Sequence, residues 1–365
     1  MTQAPTPREL APLRISRVSR AALRALPDSV PPAQLLGALS YGPAPDPNGD
    51  WLHPLSASPL LHTSGFSDVW MASGPARSGL TGRLRWRATP DWLFGAIDLD
   101  AGDETEGVEA LAYRAYADLF AALAEHGQPY LLRLWNYLPH ITGDGGGMER
   151  YRQFNSGRQR AFLDAGQAAF EGAPAACALG LRSGGGLSLR FVAGHTSVRA
   201  IENPRQMPAW RYPKDYGPRA PTFSRAALAP LGAGQLALLV SGTASIVGHA
   251  SQHAGDISAQ VAETLRNLHA VFDAACTHCD APFSLENSEP VVYIRHAAQA
   301  SAIRDQLAQA LGPQSRFMQS AVYLEADICR PELDVEIETQ ACEPGALKPI
   351  SQPDSRAPAG DRSAP

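Results

Sequence analysis

The stretch DISAQVAETLRNLHAVF, residues 256–272, decides the fold. Ile257, Val261, Leu265, Leu268 and Phe272 recur at helical spacing, so one face of a helix is apolar, and Asp256 stands where an N-cap belongs. Downstream come a strand, PVVYIR (290–295), a helix from about Ala297 to Leu311, and two strands, SAVYLEADI (320–328) and LDVEIET (333–339). Upstream the same order occurs once before. Val108, Leu111, Ala112, Tyr116, Leu119, Phe120 and Leu123 share a helical face; PYLLRLWNYL (129–138) reads as a strand, and a second helix runs from about Met148 to Ala165. The pattern predicts an α+β chain of two units, each a mixed β-sheet with helices packed on one face. No literal sequence repeat accompanies it.

Length agrees with two units, because 365 residues exceed what one core usually covers. The expected limits are a mobile segment over 1–30, an N-terminal unit over 31–185, a C-terminal unit over 186–342 that carries the chemistry, and a disordered tail over 343–365. Both ends are rich in Pro, Ala and Ser without apolar periodicity. The composition, 44% hydrophobic and 18% charged with a net charge of −5, excludes wholesale disorder and offers no basic footprint for nucleic acid. Five cysteines on a long chain make no disulfide framework, and the start lacks the apolar run of a secretory signal, so a cytoplasmic home is expected. The longest uncharged stretch, 231–248, carries four glycines and several hydroxyl side chains and reads as buried strands, not as a membrane span.

The segment Trp210–Arg225 interleaves Arg211, Lys214, Arg219 and Arg225 with Tyr212, Tyr216 and Phe223 on a proline-stiffened backbone. A stiff loop loses little entropy on binding, and guanidinium groups pair with carboxylates, so this is either a clamp for a small dianion or a solvated basic loop. SGTASIVGH (241–249) runs small residues through a buried strand, which lets a ligand approach the backbone closely. His249 and His253, read as a helical pair, invite a metal, but no third ligand accompanies them and no metal is expected. Strict alternation in LDVEIE puts Asp334, Glu336 and Glu338 on one strand face. On a surface those acids are merely solvated; in an enclosed site desolvation would keep a carboxyl protonated near neutrality, and Glu336 would be the general acid. Cys276-Thr-His-Cys279 is a lone pair of cysteines, and GDGGG (143–147) and SGGG (183–186) read as turns. Asn136, Tyr137, Tyr151, Asn155 and Arg158 are polar groups in an apolar half, where burial demands partners.

Six motifs in order, RLWNY (133–137), YRQFNSGR (151–158), YPKDYGPRAPTFSRA (212–226), SGTASIVGHASQHAGD (241–256), VYIR (292–295) and YLEADICRPELDVEIE (323–338), resemble the chorismatases. GDISAQVAETLRNL (255–268) and the closing VEIE also resemble the YjgF/RidA-like fold. The resemblance implies two YjgF/chorismate-mutase-like units, cofactor-free cleavage of chorismate with release of pyruvate, and a monomer or small homo-oligomer. It places the catalytic acid at Glu336, with Glu338 as fallback. It makes Tyr212, Tyr216, Arg219, Arg225 and Arg295 candidate partners of the substrate's two carboxylates. Cys329 resembles the members that make 3-hydroxybenzoate, with 4-hydroxybenzoate as a further product; Ala244 resembles those that add water and give the non-aromatic dihydroxycyclohexadienoate. A YjgF-like protein that binds ligand without turnover is the remaining reading.

Overall fold

The computed structural model describes residues 9–42, 49–55, 58–61, 65–181 and 186–349. Residues 256–272 fall in a helix, Ile257–Thr277, whose N-cap Asp256 accepts a 3.0 Å hydrogen bond from the Ala259 amide. Its stripe, with Val261, Leu268 and Phe272 buried, packs on a seven-stranded sheet beside the helix Ala300–Leu311. That sheet runs Arg199–Ile201, Ala226–Gly232, Gln235–Ala244, Val335–Pro344, Glu289–Ile294, Val322–Glu325 and Ser58–Pro59.

The upstream unit repeats the topology. Its six strands run Arg77–Thr81, Leu84–Ala88, Trp92–Asp98, Ser188–Gly194, Tyr130–Tyr137 and Ala175–Leu179, under the helices Gly107–His126 and Arg150–Asp164. In both units three antiparallel strands lead into a long helix. A strand–helix–strand crossover then adds a parallel pair, and the last strand returns to lie between the third strand and the first of that pair. The duplication is thus one of topology, which is why it left no literal repeat.

Helices cover one face of each sheet, and the two helix-free faces share a core that includes Trp135, Tyr137, Leu179, Leu239, Val291 and Tyr293. This arrangement fixes the fate of the acidic strand. Val335 and Ile337 belong to the helix-side core, so alternation turns Glu336 and Glu338 inward between the sheets, where each is only 4% exposed.

Several expected limits move. Ser188–Gly194 closes the first sheet, so strand pairing puts the change of unit between Gly194 and Arg199 instead of at 185/186. Residues 13–29, expected to be mobile, form the strand Leu13–Ser19 and the helix Arg20–Ser29. The strand edges a third sheet with Phe66–Ala72, Leu35–Ser40 and Leu52–Pro54. What anchors it is polar: Arg17 pairs with Asp68 at 2.8 Å and donates to the carbonyls of Pro290 (2.6 Å) and Ser320 (3.0 Å). At the other end, the last strand runs to Pro344, and Gly345 and Lys348 continue in backbone hydrogen bonds to Gly234 and His278. The rest of the expected tail, 350–365, and most of the SGGG turn lie outside the described residues.

His249 and His253 do not share a helix: His249 lies in the tip of the hairpin Ile246–Ser251, and His253 has φ +61° in the loop that follows. Among the described residues no group of three or more His, Cys, Asp or Glu gathers as a metal site, and no helix is long and apolar enough to cross a membrane. The five cysteines are free.

Candidate active site

A cavity of about 260 Å³ opens between the two sheets. The upstream unit contributes Ala176, Cys177 and Ala178 from its edge strand, and Tyr151, Arg152 and Arg158 from the helix Arg150–Asp164. The other unit closes it with Gly242, Ala244 and Glu336 from adjacent strands, with Cys329 and Arg330 from the turn before the last strand, and with the loop residues Tyr212, Tyr216, Phe223 and Arg225.

Glu336 lies across from Ala244 on one side and Tyr293 on the other. The ladder to Gln235–Ala244 slips between Val240 and Thr243, a bulge that re-aims the chain at Ser241–Gly242. There the glycine is required for space: a Cβ on Gly242 would overlap Glu336 Oε1. Among the described residues the Glu336 carboxyl has no hydrogen-bond partner. Burial, then the neighbouring charge of Glu338, push its pKa up to about 8 against the pull of Arg133, Arg225 and Arg295. It is therefore a carboxylic acid that holds its proton at neutral pH and faces open space. The thiols and the tyrosine around it stay neutral: burial lifts Cys329 to about 12, and raises Tyr151 and Cys177 as well.

Cations ring this acid. Arg225 donates to the Tyr212 hydroxyl and the Met207 carbonyl, both at 2.8 Å, and lies 5.1 Å from the Phe223 ring centre. Arg330 stacks 4.3 Å from the Tyr216 ring and donates to the His249 carbonyl at 2.8 Å, and the Tyr216 hydroxyl donates to that same carbonyl at 2.8 Å. Arg158 spends Nη2 on Asn155 Oδ1 (2.9 Å), while its buried Nε and that of Arg225 have no partner among the described residues. A buried guanidinium with unspent donors favours an anion, and a carboxylate fits its fork.

Of the residues expected at the site, Glu336, Cys329, Tyr212, Tyr216, Arg225 and Ala244 line this cavity, and Arg219 and Arg295 do not. Arg219 is exposed, with a 3.5 Å contact to Gln159. Arg295 is consumed by structure: it donates to the carbonyls of Leu333 (2.9 Å), Ile328 (3.1 Å) and Arg330 (2.9 Å) and to Asp327 (2.9 Å), and so shapes the turn that carries Cys329 and Arg330. Glu338, the fallback acid, is held by Arg133 behind the cavity wall. Arg330 and Cys177 were not singled out in the sequence, and Arg158 was marked there only as a polar group in need of a partner.

A doubled α+β frame that encloses a buried carboxyl among arginines defines a class: a protein with a pocket suited to a small anion. Comparison with known proteins makes the class specific. Residues 68–193 match the family described as "Chorismatase FkbO/Hyg5-like, N-terminal". The chain is 38% identical over 280 residues to a chorismatase of Streptomyces rapamycinicus, covering 75% of this chain and 81% of the relative. It is 36% identical to a 3-hydroxybenzoate synthase of Streptomyces hygroscopicus, covering 75% and 80%. A chorismatase crystal structure superposes with a TM-score of 0.78 at 27% identity, covering 91% of this chain and 98% of that one. The chain belongs to the chorismatase family.

Proposed function

We propose that the chain cleaves the enolpyruvyl ether of chorismate, with Glu336 as the proton donor, and releases pyruvate and a hydroxybenzoate. The observation that carries this reading is Glu336 itself, buried, without a hydrogen-bond partner among the described residues and with its pKa pushed up to about 8 by burial, on the wall of a cavity lined by Arg158, Arg225 and Arg330. Proton transfer to the terminal methylene carbon of the enol ether makes an oxocarbenium ion and leaves a carboxylate beside it, and that new anion stabilises the cation. The substrate's carboxylates are bound by the arginines. No step needs a cofactor.

The product depends on what attacks the cation. Attack of the neighbouring ring hydroxyl on the ring carbon that bears the ether breaks its C–O bond, releases pyruvate and returns a proton, and the resulting epoxide opens and aromatises to hydroxybenzoate with no net water consumed; capture of the cation by water gives, after loss of pyruvate, the dihydroxycyclohexadienoate and consumes one. Cys329 supports the first route, because a neutral, half-buried thiol on the cavity wall fills space without offering water a strong partner. The similarity to a 3-hydroxybenzoate synthase points the same way. Ala244 favours the second, since a small side chain opposite Glu336 leaves room for water. Chromatography of the products formed from chorismate is expected to give 3-hydroxybenzoate, with 4-hydroxybenzoate as the minor aromatic; the diol alone would refute the first route. Ligand binding without pyruvate release would reduce the protein to a binding module.

The cavity takes its lining from both units of the chain. Five unpaired cysteines suit the reducing cytoplasm in which we place the reaction.

A further inference from the structure

Glu338 lies two residues beyond the acid on the same inward strand face, yet it does not line the cavity. Its carboxylate accepts from the Arg133 guanidinium, from Trp135 Nε1 at 3.2 Å and from the Tyr293 hydroxyl at 3.1 Å. Tyr293 is also the cross-strand partner of Glu336. The side chains of the Arg133–Glu338 pair are 4% and 5% exposed. A buried ion pair adds little stability over well-packed apolar residues, so stability alone does not account for it. Both members have fixed positions, because three donors from two strands converge on one carboxylate.

We propose that Glu338, locked by Arg133, is a positioning residue for catalysis: a fixed negative charge behind Glu336 that keeps the acid loaded with its proton until substrate arrives. This rests on the reading of Glu336 as proton donor and adds a role for the pair outside the cavity. The Glu338 carboxylate acts on Glu336 more strongly than the Arg133 guanidinium does. Cys177, Tyr137, Tyr293 and Tyr41 are pushed by burial toward their neutral forms and supply no competing charge. Farther out, Arg17 is already matched by Asp68, and Glu289 by Arg316. Arg225 at the cavity wall and Arg295 outside the cavity pull the other way, and the negative charge of Glu338 offsets them.

The test is the pH profile of chorismate consumption by the full chain, about pH 5.5 to 9.5, for the wild type, for Glu338→Gln and for the double variant Arg133→Met/Glu338→Gln. Removing the carboxylate alone leaves the Arg133 charge facing Glu336, so the alkaline limb should move down by roughly one unit or more. Turnover should then fall about fivefold at pH 8 and about tenfold by pH 9, yet stay within about threefold of the wild type near pH 6. Removing both charges should return the limb to within about half a unit of the wild type. A purely structural role would slow the single variant equally at every pH, and that result, or an unmoved limb, overturns the proposal. If the single variant does not fold, the double decides: a folded double variant inactive at all pH values overturns it. Absence of wild-type turnover, in contrast, would reject the reading of the site itself and the proposal with it.

Discussion

Glu336→Gln is expected to lower kcat by about 10²- to 10⁴-fold while KM for chorismate changes by less than about threefold. The amide keeps the shape of the side chain and the cavity around it, so the arginines still meet the substrate's carboxylates. It has no proton to transfer to carbon and leaves no anion to face the cation. In the wild type, turnover should be flat on the acid side and fall as pH climbs through about 8, where the carboxyl ionises. The residual rate of Glu336→Gln should lack that limb. Steady-state pyruvate release across pH measures both, and near wild-type activity in the variant would remove Glu336 from the mechanism.

The same carboxyl has an effect on stability of opposite sign to an ordinary surface acid. Its folded value lies above its ordinary 4.5, at about 8. Below about 4.5 both states hold the proton and the group is neutral in its effect. Between the two values the unfolded chain releases a proton that the folded chain keeps, so stability falls as pH rises, and the full penalty is present above about 8. Thermal unfolding of Glu336→Gln should therefore show a gain over the wild type that is larger at pH 9 than at pH 5. A constant difference across that range would mean that the carboxyl is not perturbed by its surroundings.

How far the sequence carried this site can be followed residue by residue. Alternation in 333–338 told correctly that Glu336 and Glu338 share a face, but nothing local says whether that face meets water or a second sheet. The duplicated topology decides it. Arg295 and Arg330 look equivalent in the sequence, and the difference between them lies in acceptors: three backbone carbonyls and Asp327 absorb Arg295, whereas Arg330 is spread over aromatic rings at the cavity wall. Arg158 was visible as a buried polar group, but its cavity forms only when the helix Arg150–Asp164 meets the loop that carries Tyr212 and Arg225. The strand at Leu13–Ser19 was missed because its anchor is Arg17, and a short, half-buried strand held by a salt bridge carries little apolar period.

The small residues of SGTAS read in the sequence as room for a ligand to approach the backbone. In the structure the approaching group is the acid itself, and this makes Gly242→Ala the sharpest test of placement. Gly242 does not have a left-handed backbone, so alanine brings no conformational strain there. What it brings is a Cβ in the space now held by Glu336 Oε1. That oxygen ends a flexible side chain bordering an open cavity, so it can swing away, and the cost in stability should sit at the low end of overpacking, about 1 kcal/mol. The cost in rate should be far larger. An acid displaced by about 1 Å from the carbon it must protonate loses on the order of 10² in kcat. Gly242→Ala should thus unfold within a few degrees of the wild type and bind chorismate, yet turn it over about a hundredfold more slowly. Activity within about threefold of the wild type would show that the acid works equally well from a displaced position, and the bulge at Ser241–Gly242 would then have no part in aiming it.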